Sequence, residues 1–251
     1  MSSPIPVLTG VRYAVEAGVG RITLARPDQA NAIDLATARS FGTAVSLACS
    51  DPDVRVVLID AEGRVFCSGG DVTSVVTATD RPAEVRRLAD TLDAALLRLD
   101  AVAKPVVAAV QGSVAGAGLG VMLACDLVIA ARTAKLVTAY TSIGITPDCG
   151  VSWLLPRAIG QQRALELVLT GKTLSAEEAQ TWGLVTTVVD AGDVGATAQA
   201  LAETLASSSC FAMGNARRLV RMSWSATRDE ASVDEIETVT TAIGLVLGTR
   251  R

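Results

Sequence analysis

Two glycine-rich segments carry the clearest chemical signal, CSGGD at 67–71 and GSVAGAGLG at 112–120. Each follows a short apolar run with the composition of a buried strand, and each leads toward a helix. Glycine lets a backbone approach a ligand closely and aim its N–H groups outward, and the positive end of a helix adds to their field. Two such N–H groups converging on one oxygen stabilise an oxyanion. For either segment alone, the other reading is a tight turn or close helix packing. A dinucleotide fingerprint fails at Gly116-x-Gly118, because Val121 stands where the third glycine is needed and no acid follows about twenty residues on.

The chain contains no histidine. That excludes a Ser-His-Asp or Cys-His nucleophile system, a histidine general base and a histidine-liganded metal. Proton transfer is left to a carboxylate, a tyrosine, a cysteine or a lysine. The five cysteines (Cys49, Cys67, Cys125, Cys149 and Cys210) are odd in number, scattered, and never paired as C-x-x-C. They predict neither a disulfide framework nor a zinc site, and read as reduced thiols of a cytoplasmic protein.

Twenty-two basic against 26 acidic side chains give a net charge of −4, and no basic run exceeds two residues, which argues against a nucleic-acid partner. The first fifteen residues carry no basic residue before Arg12 and include Pro4 and Pro6, so they do not read as a signal peptide. The twenty uncharged residues 106–125 contain Gln111, Gly112, Ser113 and three further glycines, and read as strand, turn and helix rather than a membrane span. Aromatic residues make up only 3% of the chain, so the core must be built from Ala, Val, Leu and Ile.

The elements that would position these segments follow from periodicity. A hairpin is predicted from Val11–Val15 and Val19–Leu24 around Ala17-Gly18. A helix capped by Asp34 runs to Ser50, and strands follow at Val54–Asp60 and just before Gly69-Gly70. Residues 72–80 have the composition of a loop, and Pro82 opens a helix whose Val85, Leu88, Leu92, Ala95, Leu96 and Leu99 share a face. Strands are predicted at 105–110, Leu127–Ala131, Leu136–Tyr140 and Leu184–Asp190, with a helix at Val121–Cys125 and another over Gln161–Leu169. Ser175 and Glu178 form a capping-box pattern for a helix ending at Gly183. Helical patterns at Ala196–Ala206, Ala212–Trp224 and Asp229–Leu247 complete an α/β chain, divided into a core over 1–190 and a helical region over 191–251.

Taken together, ITLARPDQANAID (22–34), VFCSGGD (65–71), KPVVAAVQGSVAGAGLGVMLACDLVIA (104–130), GITPDCGVSWLLPRAIG (144–160) and ALELVLTGKTLSAEEAQTWGLV (164–185) resemble the crotonase, or enoyl-CoA hydratase/isomerase, family. The resemblance implies a crotonase-like spiral of ββα units that binds an acyl-CoA thioester as a homotrimer or dimer of trimers. It implies no cofactor beyond the coenzyme A carried by the substrate. The oxyanion-hole N–H groups fall on Gly70 and Ala117. The coenzyme A would lie along Arg26, Gln29, Ala30, Ala32, Ser68 and Gly69, with Asp71, Val72, Thr73, Gly116 and Tyr140 completing the substrate surroundings. A thioester makes its α-hydrogens weakly acidic, and two preorganised donors on its carbonyl oxygen stabilise the enolate.

The departures from the family pattern are chemical. Its hydratases use two glutamates to position and activate water, and those positions here are Gly120 and Tyr140. Ordinary hydration is therefore not expected. Asp148, in TPDCG, matches the aspartate that family isomerases carry, and one carboxylate can take a proton from one carbon and return it to another. The other reading of Asp148 is a cap on the helix beginning near Gly150. Asp126 reads as a satisfied structural carboxylate, Asp71 as a helix cap, and Cys149 as packing. The family's C-terminal cover is expected to be absent or partly replaced by Arg250 and Arg251. The expectation is an isomerase that moves a double bond in an unsaturated acyl-CoA. A weak hydratase or other crotonase-type reaction, and a non-catalytic CoA-ester binder, are the alternatives.

Overall fold

The computed structural model describes residues 7–248, so Arg250 and Arg251 lie outside the described residues. The predicted hairpin forms from β1 (Val11–Glu16) and β2 (Val19–Leu24), paired antiparallel from Val11–Leu24 to Glu16–Val19. Helix α1 (Leu35–Ser50) follows, with the Asp34 carboxylate accepting from the Thr37 N–H as the sequence predicts.

The chain then repeats one device three times. Strand β3 (Val56–Ala61) joins a large sheet and β4 (Val65–Cys67) turns into a second, smaller one. Helices α2 (Val72–Thr77) and α3 (Arg81–Ala101) lead back. The next turn is β5 (Val106–Val110), β6 (Ser113–Ala115) and α4 (Ala117–Leu123). The third is β7 (Leu127–Ala131) and β8 (Lys135–Val137), followed by α5 (Val151–Ile159) and α6 (Gln161–Thr170). Strand β9 (Leu174–Ser175), helix α7 (Ala176–Trp182) and strand β10 (Thr187–Val189) follow. Helices α8 (Val194–Ser207), α9 (Cys210–Met222) and α10 (Arg228–Gly248) complete the described chain.

The large sheet runs β1-β2-β3-β5-β7-β10 and the small one β4-β6-β8-β9. In each ββ pair the first strand extends the large sheet and the second the small sheet, so the chain winds as a spiral of ββα units. Strands β3 and β5 are almost entirely buried, which is why they read as unbroken apolar runs. Helix α8 seats Val194, Ala198, Ala202 and Ala206 in the same core, against β3, β5 and β7. Asp126 is the satisfied carboxylate expected of it: it accepts from the Val106 N–H at 2.8 Å, Arg217 Nε at 2.7 Å and Arg221 Nη2 at 2.8 Å, which ties α9 to the core. On α10, Val233, Ile236, Val239 and Ile243 are each more than half exposed. No helix among the described residues is long and apolar enough to cross a membrane.

Three local expectations are corrected. Residues 72–77 are helical because Asp71 caps them, its Oδ1 accepting from the Thr73 and Ser74 N–H groups. Helix α4 begins at Ala117 rather than Val121, since Gly116, at φ +52°, turns the chain sharply enough to start it there. The strand ends at Val137, not Tyr140: Ala139 takes φ +59° and Tyr140 is helical in backbone, heading a short 3-10 turn at Thr141–Ile143.

Candidate active site

The two glycine-rich turns abut. A β-carbon built on Gly69 would stand 3.0 Å from the Ala115 carbonyl oxygen and 3.4 Å from the Ala117 nitrogen, so only glycine allows this approach without displacement. Gly69 also sits at φ +101°, where side chains are strained. Ala117 is the first residue of α4, so its N–H has no intrahelical acceptor.

On the other turn, the strand-like edge of 67–71 is zipped to the 26–34 loop. Ser68 donates to the Ala30 carbonyl at 3.1 Å, Ile33 to the Gly69 carbonyl at 2.8 Å, and Asp71 to the Ile33 carbonyl at 2.9 Å. The Gly70 N–H is skipped. Among the described residues neither the Gly70 nor the Ala117 N–H meets an acceptor, and both belong to turns in contact. Unpartnered backbone donors on touching turns are what an oxyanion hole requires.

The loop that supports Gly70 is held by a residue outside the sequence-based set. Asn31 is buried, with φ +53°, and donates through Nδ2 to the Glu62 and Val65 carbonyls at 2.8 and 2.7 Å. Its Oδ1 accepts from the Arg26 N–H at 2.8 Å, and its carbonyl accepts from the Cys67 thiol at 3.2 Å. Arg26 is equally committed to the protein: Nη1 donates to the Ala32 carbonyl, and Nη2 lies 3.2 Å from both Asp34 and Asp71 carboxylates. Asp71 is thus shared between Arg26 and the α2 cap. Gln29 ends a short 3-10 turn (Pro27–Gln29) and Ala30 follows it in left-handed backbone at φ +51°. Val72 is largely exposed beside this loop, and Thr73 gives its N–H to Asp71.

Asp148 does not cap α5. That helix begins at Val151 behind a Gly150 that offers no side-chain cap, and of Asp148 only the carbonyl serves it, accepting from the Val151 N–H at 3.0 Å. Its carboxylate instead accepts from the Tyr140 hydroxyl at 2.9 Å. Burial first, then the Asp148 charge, pushes the Tyr140 phenol well above its ordinary range, so it remains a neutral donor. Cys149, buried at φ +49°, has its thiol pushed up by burial and by Asp148, and Cys67 is pushed up to about 12 by burial. Neither is a thiolate nucleophile.

The 148–150 turn is packed directly on α4. A β-carbon at Gly120 would stand 2.5 Å from the Cys149 carbonyl oxygen, so one turn of helix separates the Ala117 amide from the segment that carries Asp148. Gly120 is thus a helix glycine pressed against Cys149, and Tyr140 a buried tyrosine hydrogen-bonded to Asp148.

The family model for enoyl-CoA hydratase/isomerase matches residues 14–242. The chain is similar to 1,2-epoxyphenylacetyl-CoA isomerase of Escherichia coli, 38% identical over 86% of this chain and 83% of that protein. It is also similar to a trans-2-decenoyl-(acyl-carrier-protein) isomerase of Streptococcus mutans, 35% identical over 70% of this chain and 67% of that one. A crystal structure of enoyl-CoA hydratase from Bacillus anthracis superposes with a TM-score of 0.89 at 29% identity, covering 94% of this chain and 91% of that one. Spiral, paired glycine turns and these matches along nearly the whole chain agree: the protein belongs to the enoyl-CoA hydratase/isomerase family.

Proposed function

We propose that the protein moves a carbon–carbon double bond in an unsaturated acyl-CoA thioester. The thioester carbonyl oxygen accepts from the Gly70 and Ala117 N–H groups. Asp148 takes a proton from the carbon next to the carbonyl. The electron pair spreads into a dienolate whose charge rests on the oxygen held by the two amides. Return of the same proton to the far end of the conjugated system completes the shift and regenerates the carboxylate. No water, redox partner or metal enters this balance.

The observation that carries the reading is the pairing of two unpartnered amides on touching turns with a single carboxylate held by Tyr140. A hydratase needs a second acid, and a helix glycine and a tyrosine stand where the family's glutamates would be. Two relatives whose names denote isomerases support the same direction. The reading includes self-association, with the exposed Val233, Ile236, Val239 and Ile243 face of α10 buried between copies.

The test is a panel of 3-enoyl-, 3,5-dienoyl- and 2-enoyl-CoA thioesters with product identification, run on wild type and Asp148→Asn. Isomerised products are expected from the first two, and 3-hydroxyacyl-CoA from the third at trace level only. Asp148→Asn should lose on the order of a hundredfold or more in turnover while binding CoA esters within a few-fold, because an amide cannot accept the proton. Efficient hydration by wild type, or unchanged turnover in the variant, refutes the proposal.

A further inference from the structure

We infer that the acyl tail runs into an acid-faced cavity between α3 and α5, and that Asp93 there selects tails ending in a hydrogen-bond donor over tails ending in a carboxylate. The inference rests on the acyl-CoA reading of the site. Two helices lead from the oxyanion turns to this cavity. Helix α3 passes Gly70 at Leu88, whose Cδ2 would lie 3.7 Å from a β-carbon there, and reaches the cavity with Asp93, Leu96 and Asp100. Helix α4 starts at Ala117 and delivers Ala124 to the cavity wall, roughly 10 Å further along its axis. Cys149 and Gly150, the two residues after Asp148, form part of the same wall. A tail extending from a carbonyl at Gly70 and Ala117 past Asp148 is therefore directed into this space.

The cavity holds about 620 Å³, enough for a medium-length chain, and Leu96, Leu97, Trp153 and Leu154 give it apolar walls. Its charged residues are all acidic: Asp90, Asp93 and Asp100. Asp90 pairs with Arg86 and Asp100 with Arg221. Asp93, half-buried, has no hydrogen-bond or ion-pair partner among the described residues. It faces the Cys149 side of the cavity closely enough that its charge adds to the effect of Asp148 on that thiol. An unpaired carboxylate in an apolar cavity gains from a hydroxyl or ammonium and repels a second carboxylate. Solvent reaching the half-buried Asp93 screens that repulsion, so discrimination of roughly tenfold or more is expected rather than exclusion.

The test measures binding separately from turnover. Octanoyl-CoA, 8-hydroxyoctanoyl-CoA and the CoA monothioester of octanedioic acid are titrated by calorimetry into wild type and Asp93→Asn. The corresponding 3-enoyl thioesters are assayed for double-bond shift. Wild type should bind the hydroxyl-ended ester at least as tightly as octanoyl-CoA and the carboxyl-ended ester about tenfold more weakly. Asp93→Asn should close most of that gap while leaving octanoyl-CoA within a few-fold. Equal binding of octanoyl- and carboxyl-ended esters by wild type, or a gap unchanged in Asp93→Asn, overturns the inference. The expected binding pattern without any double-bond shift would refute only the isomerase reading. Failure to bind any of the three esters would overturn both.

Discussion

The carbonyl oxygen of Cys149 lies only 2.5 Å from where the first side-chain atom of residue 120 would stand. This contact sets the distance between α4 and the turn that carries Asp148. Any side chain at this position would have to push the turn away. Glycine at 120 is what lets the segment that carries Asp148 pack directly on α4.

Gly120→Ala is therefore expected to cost roughly 1–3 kcal/mol of stability, the range for overpacking a tight contact. Turnover should fall further than binding, because the displaced part is the Asp148 segment rather than the oxyanion amides. A thermal melt and steady-state kinetics on the isomerised substrate check this. Wild-type kcat in a folded Gly120→Ala protein would show that the packing of this turn does not set the geometry of the base.

Ala117→Pro removes one of the two proposed oxyanion donors at a position where helices tolerate proline, the first residue of α4. The fold should survive with a modest change in Tm, while kcat drops by about a hundred- to thousandfold, the usual cost of one such donor. Circular dichroism and kcat together separate the two effects. A folded and fully active variant would place the thioester carbonyl elsewhere.

What could be read from the sequence follows from what each feature leaves in it. Two backbone turns that approach closely need glycine, so the turns at 67–71 and 112–120 were legible as residue types, and the family resemblance put the proposed oxyanion donors on Gly70 and Ala117. The packing role of Gly120 was not, because the atom that demands a glycine comes from Cys149, twenty-nine residues away. Helix α2 was hidden by its composition: Val, Thr and Ser are weak helix formers, and the Asp71 cap outweighs them. The expected strand over Leu136–Tyr140 stops short of the tyrosine, because the left-handed Ala139 takes the chain out of the sheet and the phenol is turned toward Asp148. Asn31 left the faintest signal, a single asparagine in a polar loop. Asparagine tolerates left-handed backbone, but nothing local shows that its amide reaches Glu62 and Val65.

Asn31→Ala should accordingly be among the more damaging changes distant from the chemistry. It strips the Glu62 carbonyl and the Arg26 N–H of their partner, leaves the Val65 carbonyl only its longer bond from Gln111, and leaves a side chain in left-handed backbone. A loss on the order of 3 kcal/mol is expected. Asn31→Gly relieves the backbone strain but not the lost hydrogen bonds, so it should recover only about 1 kcal/mol of that. Chemical denaturation of the two variants measures both quantities, and near-wild-type stability in Asn31→Ala would show that Arg26 and the backbone bonds to 67–71 hold the 26–34 loop without the Asn31 amide.

Tyr140→Phe tests whether the hydroxyl positions the base. Deleting a hydrogen bond to a charged group in this setting should lower kcat by roughly tenfold with little change in KM, since the bond fixes Asp148 and does not touch the CoA moiety. The pH profile gives a second, independent readout. Burial and then the negative Asp148 both disfavour the phenolate, so the Tyr140 pKa lies above the ordinary tyrosine value of about 10. Below that raised value the phenol keeps its proton and its bond to Asp148. Wild-type kcat should therefore show no alkaline decline attributable to a tyrosine up to about pH 10. A decline with a midpoint below pH 10 in wild type that disappears in Tyr140→Phe would mean the phenol ionises there, and a phenolate cannot donate to Asp148. An unchanged kcat in Tyr140→Phe would show that Asp148 is held in place by its turn alone.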